Sequence, residues 1–216
     1  MRIQNNQIQN SILRRMGYQQ ANIDDSVLVR GILDGQTGLF RLLAERYAGR
    51  MMGMIRRLVP AKENAEEVTQ DALLEAYKSL SRFDSQQSNL LTWLLSIAYH
   101  MALKHYRKAS PKASPKTHDL KFVDTNQEWL ENLADEEVDE LLADTSADRL
   151  SLLEQAISQL KPDDQMLLSL YYYDNYSIKD ISQIIGHEGG YLRSRMQWIR
   201  KKLAVTIKTL EKNERQ

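Results

Sequence analysis

Arg193, Ser194, Gln197, Arg200 and Lys201 fall on the outward side of one amphipathic helical pattern near the C-terminus. Two arginines, a lysine, an amide and a hydroxyl on one exposed helix face suit base edges and phosphates in a major groove. The core side of the same pattern is Leu192, Met196, Ile199 and Leu203, spaced i, i+4, i+7 and i+11. Ahead of it lies a shorter helical pattern that must position it. Ser177 reads as the N-cap, with Asp180 as its capping-box partner, and Ile178, Ile181 and Ile185 give one apolar face. Small Ser182 sits where a second helix can cross closely, Gly186 supplies the turn, and Gly190 opens the next helix. Ser177–Leu203 therefore reads as a helix-turn-helix ending in a recognition helix. Arg193, Ser194 and Gln197 are the base-reading candidates, and Lys179, Arg200, Lys201 and Lys202 the phosphate contacts. Tyr191 stands beside them, Arg195 lies nearer the core as a structural ion-pair residue, and Trp198 is placed to stack or pack.

A second surface combines aromatic rings and cations. In Leu90–Lys108, the residues Leu91, Leu94, Leu95, Ala98, Met101 and Ala102 share a core face. Trp93, His100, Lys104 and Arg107 line the opposite side, with Ser96 and Leu103 among them. Interleaved rings and cations stack bases and neutralise phosphates. Trp93, and Phe83 in the preceding loop, also read as core aromatics. A third surface lies on Asn64–Leu80. Val68, Ala72, Leu73, Ala76, Tyr77 and Leu80 point inward, and Glu67, Gln70, Asp71, Leu74, Glu75 and Lys78 point out. An apolar Leu74 within a charged rim fits a partner site, although an ordinary solvated face is the simpler reading of that pattern alone. Glu67, Asp71 and Glu75 repeat every four residues, but no histidine accompanies them, so a metal site is disfavoured.

The elements that carry these surfaces are all helical. Of the four prolines, Pro60 ends one pattern, Pro111 and Pro115 mark a connection, and Pro162 fits a first helical turn. The first unit is expected over residues 25–108, with helices near Ser26–Leu33, Thr37–Val59, Asn64–Leu80 and Leu90–Lys108. Asn64 is the expected N-cap of the third, with Glu67 at the capping-box position. The second unit is expected over 149–213, with helices near Leu150–Leu160, Pro162–Tyr173, Ile178–Ile185 and Gly190–Leu210. Residues 109–148 form the expected linker, and residues 1–24 an N-terminal extension that is mobile or weakly docked.

Formal net charge is zero, yet the charges are segregated. Lys104, Arg107, Lys108, Lys112 and Lys116 lie in a stretch without an acid. From Asp119 to Asp148 acids dominate, against Lys121 alone. Such blocks signal different surroundings for different parts of a chain. There is no cysteine, which excludes disulfides and thiolate metal sites. No apolar run marks a membrane span or a signal peptide, so a cytoplasmic protein without membrane insertion is expected. The four histidines, His100, His105, His118 and His187, are scattered, and no nucleophile or phosphate-loop motif accompanies them. No enzyme and no cofactor is expected.

Two small helical units, an acidic linker and a C-terminal helix-turn-helix resemble an extracytoplasmic-function (ECF) sigma factor of bacterial RNA polymerase. The resemblance is carried by NAEEVTQDALLEAYKSLSRFD (Asn64–Asp84), LLTWLLSIAYHMALKHYRK (Leu90–Lys108), Leu153–Gly186 and GGYLRSRMQWIRKKL (Gly189–Leu203), in the family's order and spacing. It implies that Glu67, Gln70, Asp71, Leu74 and Lys78 meet the β′ clamp helices of core RNA polymerase, whose β flap is a further contact. It implies that Phe83, Trp93, Tyr99, His100, Lys104, Arg107 and Lys108 meet the −10 element. Lys179, Tyr191, Arg193, Ser194, Gln197, Arg200 and Lys201 would meet the −35 element. The acidic linker would thread the polymerase's basic channel, and an anti-sigma factor is an expected regulator. The chain departs from the family pattern at Tyr99–His100 (often Arg-Asn), at Lys104 (often acidic), at Gly190–Leu192 (often Gly-Thr-Val) and at Trp198 (often Arg). The competing reading is a stand-alone helix-turn-helix regulator that does not bind core polymerase. It leaves the first unit without a role.

Overall fold

The computed structural model describes residues 23–109, 138–139, 142–143 and 146–214. The expected N-terminal extension and most of the acidic linker lie outside the described residues. The described elements are helical, and no strand occurs among them.

The first unit holds α1 (Asp25–Leu33), α2 (Gly38–Leu58), α3 (Lys62–Ser79), a 3₁₀ turn (Leu80–Arg82) and α4 (Leu90–Ala109). Asp24 caps α1 by accepting from the Ser26 N–H at 2.7 Å. Asp25 then ties α1 to α2, accepting from Arg46 at 2.7 Å and from the Tyr47 hydroxyl at 2.6 Å. Burial, together with that carboxylate, pushes the Tyr47 phenol up to about 12. Along α2 the residues Leu39, Leu43, Tyr47, Met51, Met54, Ile55 and Leu58 make a continuous buried stripe. α3 answers with small residues: Ala65, Ala72 and Ala76 are fully buried, which lets α2 and α4 approach closely.

The start of α3 corrects the expected cap. The helix opens at Lys62, with Ala61 as N-cap and no side-chain cap bond, so Asn64 and Glu67 lie inside it. Pro60 and the extended Ala61 backbone set the entry instead, so the first turn forms three residues earlier than an Asn64 cap would place it. At α4 the cap is Asn89, whose side chain accepts from the Thr92 N–H at 2.8 Å.

The second unit holds α5 (Ala147–Ser158), α6 (Pro162–Leu168), a π turn (Ser169–Tyr173), α7 (Ile178–Ile185) and α8 (Gly189–Glu214). The helix expected over Pro162–Tyr173 keeps those bounds, but from Ser169 it widens into a π turn, before Asn175 takes a positive φ of 54°. Ser177 caps α7 by accepting from the Asp180 N–H at 3.1 Å, and its own hydroxyl donates to the Asp180 carboxylate at 2.6 Å. Gly186 ends α7 at a φ of 84°, the left-handed conformation a glycine tolerates best. Ser182 stitches the turn by donating to the His187 carbonyl at 2.6 Å.

The two units touch. Arg57, in the last turn of α2, donates twice to Asp174, at 2.5 and 3.0 Å. α7 packs along α4, and Gln183 donates to the Gln87 carbonyl in the loop before α4.

Candidate DNA and polymerase surfaces

α8 is a 26-residue helix whose first half carries the candidate recognition face. Leu192, Met196, Ile199 and Leu203 are buried, as the spacing requires. Arg193, Ser194 and Gln197 are exposed side by side on the opposite face, and Lys179 is exposed on α7. Tyr191 is half-buried with its ring 5.0 Å from that of His187, and burial raises its phenol pKa. Arg200 pairs with Asp139 of the linker, and Lys201 is half-buried. Gly189 opens α8 because a Cβ there would lie 3.3 Å from the Ile178 side chain of α7.

What holds this face in place is a buried pair. Arg195 donates through Nε and Nη2 to the two oxygens of Asp164, both at 2.7 Å, and the side chains are only 8% and 5% exposed. The Arg195 guanidinium also lies 4.0 Å from the Trp198 ring centroid, with Lys202 Nζ at 4.9 Å. Trp198 thus bridges two cations of its own helix. Asp164, at the start of α6, sets the rotation of α8 and so the direction of Arg193, Ser194 and Gln197. Arg195 was readable from the sequence as an ion-pair residue; its acidic partner, 31 positions away, was not.

The second surface is divided. Phe83 and Trp93 are half-buried against each other, ring centroids 5.5 Å apart. The loop between them is braced by Asp84, which accepts from the Gln86 N–H and from Gln87 Nε2, both at 2.9 Å. Those bonds hold the Asp84 carboxyl below its usual pKa. His100, Lys104 and Lys108 are exposed and Arg107 is half-buried; His100 Nδ1 lies 2.7 Å from the Ser96 carbonyl. Tyr99 is not on this open surface. It is 3% exposed, and its hydroxyl reaches Asp163 of the second unit at 3.4 Å. Leu103, expected among the outward residues, is buried too. Thr92, Leu95, Tyr99 and Leu103 form a second buried stripe on α4, because the second unit covers a wider arc of this helix than the first unit does alone. Burial, and then the Asp163 charge, raise the Tyr99 phenol's pKa and keep it neutral.

On α3, Glu67, Gln70, Asp71, Leu74, Glu75 and Lys78 are all exposed, with Leu74 at 51%. Tyr77, expected inward, is exposed and packs edge-on against Phe40 at 4.9 Å, extending the apolar spot around Leu74. Among the described residues no group of three or more His, Asp or Glu is placed to hold a metal. No described helix is long and apolar enough to cross a membrane. The sequence reading also missed the run Tyr171–Tyr173, which lies on the surface and is 82% exposed at Tyr173.

A helical unit with an aromatic and basic helix, followed by a helix-turn-helix unit, is the architecture of a promoter-recognition factor. Residues 43–111 match Sigma-70 region 2 and residues 150–203 match Sigma-70, region 4. The chain is 28% identical over 175 residues to the RNA polymerase sigma-H factor of Pseudomonas aeruginosa, covering 80% of this chain and 88% of that one. It is 29% identical over 181 residues to the ECF RNA polymerase sigma-E factor of Escherichia coli K12, covering 81% and 89%. Among solved structures the fold is similar to CnrH in complex with the cytosolic domain of CnrY, with a TM-score of 0.55, 17% identity and coverage of 86% and 97%. It is also similar to the sigma factor RpoE in complex with the anti-sigma factor NepR from Bartonella quintana, with a TM-score of 0.50, 21% identity and coverage of 78% and 96%. The chain belongs to the ECF sigma factors of bacterial RNA polymerase.

Proposed function

We infer that this chain directs core RNA polymerase to specific promoters and promotes DNA melting at the start site. The observation that carries the reading is the presence of both units, in order, in one chain: residues 43–111 and 150–203 match the two sigma regions. A stand-alone regulator needs only the second.

In this assignment residues 25–108 act as the core-binding and −10 unit, and residues 149–213 as the −35 unit. The exposed face Glu67, Gln70, Asp71, Leu74 and Lys78 docks on the β′ clamp helices, with Leu74 as an apolar anchor inside a charged rim. The β flap is the further polymerase contact. Phe83 and Trp93, with His100, Lys104, Arg107 and Lys108, receive the −10 strand. Melting without a nucleotide-driven motor needs binding energy in place of unstacking energy, about a few kcal/mol for an extruded base, which a base held against the rings returns. Arg193, Ser194 and Gln197 read base edges at the −35 element, while Lys179 and Lys201 position the duplex. Polymerisation belongs to the core enzyme, and this subunit needs no cofactor. The two solved relatives in fold are bound to CnrY and to NepR, which supports an anti-sigma factor as the regulator here. The site of action is the cytoplasm, where the polymerase works.

The test is co-elution of the full chain with core RNA polymerase at moderate salt. Stable co-elution, lost in the Leu74→Ala/Gln70→Ala double variant, is the expected result. A folded chain that binds DNA but never core polymerase would favour the stand-alone regulator instead.

A further inference from the structure

His100 stands one turn beyond Ser96 on α4, and that turn holds its ring in one protonation pattern. Nδ1 lies 2.7 Å from the Ser96 carbonyl oxygen. A carbonyl oxygen only accepts, so Nδ1 carries the proton of the neutral ring and Nε2 keeps a bare lone pair. The Tyr99 ring stands edge-on to the imidazole, with centroids 5.3 Å apart, and braces its plane. His100 is exposed, and no described residue donates to Nε2. The turn after α7 that comes beside this nitrogen presents Gly186, which has no side chain to offer it.

The groups that share this surface are donors. Lys104 lies one turn further along α4, followed by Arg107 and Lys108, and all three side chains offer only N–H bonds. The Trp93 indole likewise donates and cannot accept. Ser96 returns its hydroxyl to the Trp93 carbonyl at 2.7 Å. The cations suit phosphate oxygens, which fix register without reading sequence. A neutral ring nitrogen with a bare lone pair suits a base edge. On the edge that faces the major groove, adenine and cytosine present an amine, where guanine and thymine present a carbonyl oxygen. Nε2 accepts from the amine and meets a second lone pair on the carbonyl.

We propose that His100 is a base-reading residue of the −10 surface that selects an amine-bearing base, adenine or cytosine, through Nε2. The −10 assignment rests on the function proposed above; the fixed tautomer does not. One hydrogen bond gained, against a lone-pair clash with the other two bases, sets a preference of roughly three- to tenfold at one base position. Asparagine offers a carbonyl and an amine together, so His100→Asn should take amine and carbonyl bases alike, and His100→Ala should read neither.

Ring-nitrogen NMR on the full chain, carrying isotopically labelled histidine, reads the tautomer directly, and His100→Asn assigns the His100 signals by their loss. The proton should sit on Nδ1; a proton on Nε2 would overturn the proposal. The second arm is transcription by core polymerase with the full chain, from templates randomised across the −10 element. With the wild type, one position should favour adenine or cytosine over guanine or thymine by roughly three- to tenfold. His100→Asn and His100→Ala should level that position and leave the preferences at the others in place, with helicity checked by circular dichroism. Nebularine, a purine without the amine, put in place of adenine at that position should lower wild-type initiation by the same factor and leave His100→Ala unaffected. Preferences unchanged in both variants, or equal nebularine losses in the wild type and His100→Ala, would overturn the base reading. Failure of the wild-type chain to initiate on any template would overturn the function proposed above, and the base reading with it, while the tautomer result would stand.

Discussion

Removing Asp164 tests the reasoning about the recognition helix most sharply. Its carboxylate accepts two bonds of 2.7 Å from Arg195, and both side chains are almost wholly out of solvent. Breaking a buried pair from one side leaves the other charge desolvated, at a cost of about 3–5 kcal/mol. Asp164→Ala should therefore lower the unfolding free energy by about 3 kcal/mol, because the guanidinium left behind keeps its place against the Trp198 ring. Arg195→Ala should cost more, about 4–5 kcal/mol, since it strands a carboxylate and also removes the contact with Trp198. The double variant Asp164→Leu/Arg195→Met removes both charges and should return to within about 1 kcal/mol of the wild type. Domains of this kind are stable by only about 5–15 kcal/mol, so the single variants should shift visibly in urea unfolding followed by far-UV circular dichroism. Duplex binding at a fixed temperature then separates positioning from stability: the double variant should fold normally yet bind a cognate −35 site less selectively. Losses under about 1 kcal/mol for both single variants would show that the pair behaves as a solvent-screened surface contact, and the account of how α8 is aimed would fail.

Other outcomes follow from the same geometry. Leu74→Ala with Gln70→Ala should weaken core-polymerase binding by about 2 kcal/mol or more at unchanged thermal stability, because both side chains are exposed; titration by fluorescence anisotropy checks this. Arg193→Ala should lose about 1–3 kcal/mol on a cognate −35 duplex and relax its sequence preference, whereas Lys179→Ala should weaken all duplexes alike. Gly186→Ala should cost roughly 1–2 kcal/mol through its positive φ of 84°, since the added methyl meets His100 only at ordinary contact distance; a thermal melt reads the loss.

Local signals carried far into this fold. The apolar spacing of α2, α3, α4 and α8 follows the helical period, and Ser177 and Gly186 mark the ends of α7 with side-chain and backbone chemistry that neighbours do not override. The recognition face was legible for the same reason: Arg193, Ser194 and Gln197 stay out because Leu192, Met196 and Ile199 go in. What escaped depends on distant partners. Asn64 has the right type for a cap, but the helix opens ahead of it, at Lys62, after Pro60 and the extended Ala61. Nothing in periodicity reports the π turn at Ser169–Tyr173, which changes the hydrogen-bond register without changing which residues are apolar. Leu103 reads as outward, and the resemblance sets Tyr99 on the −10 surface, until a second unit is laid on α4. Arg200 reads as a phosphate contact, and nothing local announces that Asp139 is brought beside it.

The central claim is that this chain gives core polymerase its promoter choice. The most direct measurement is transcription by core RNA polymerase, with and without the full chain, on a pool of genomic promoters, mapping the 5′ ends of the products. The account predicts start sites that appear only with the chain present, share spaced −35 and −10 sequences, and vanish when Arg193, Ser194 and Gln197 are replaced together by alanine. A start-site pattern identical to that of core polymerase alone, from a chain that has bound it, would contradict the account.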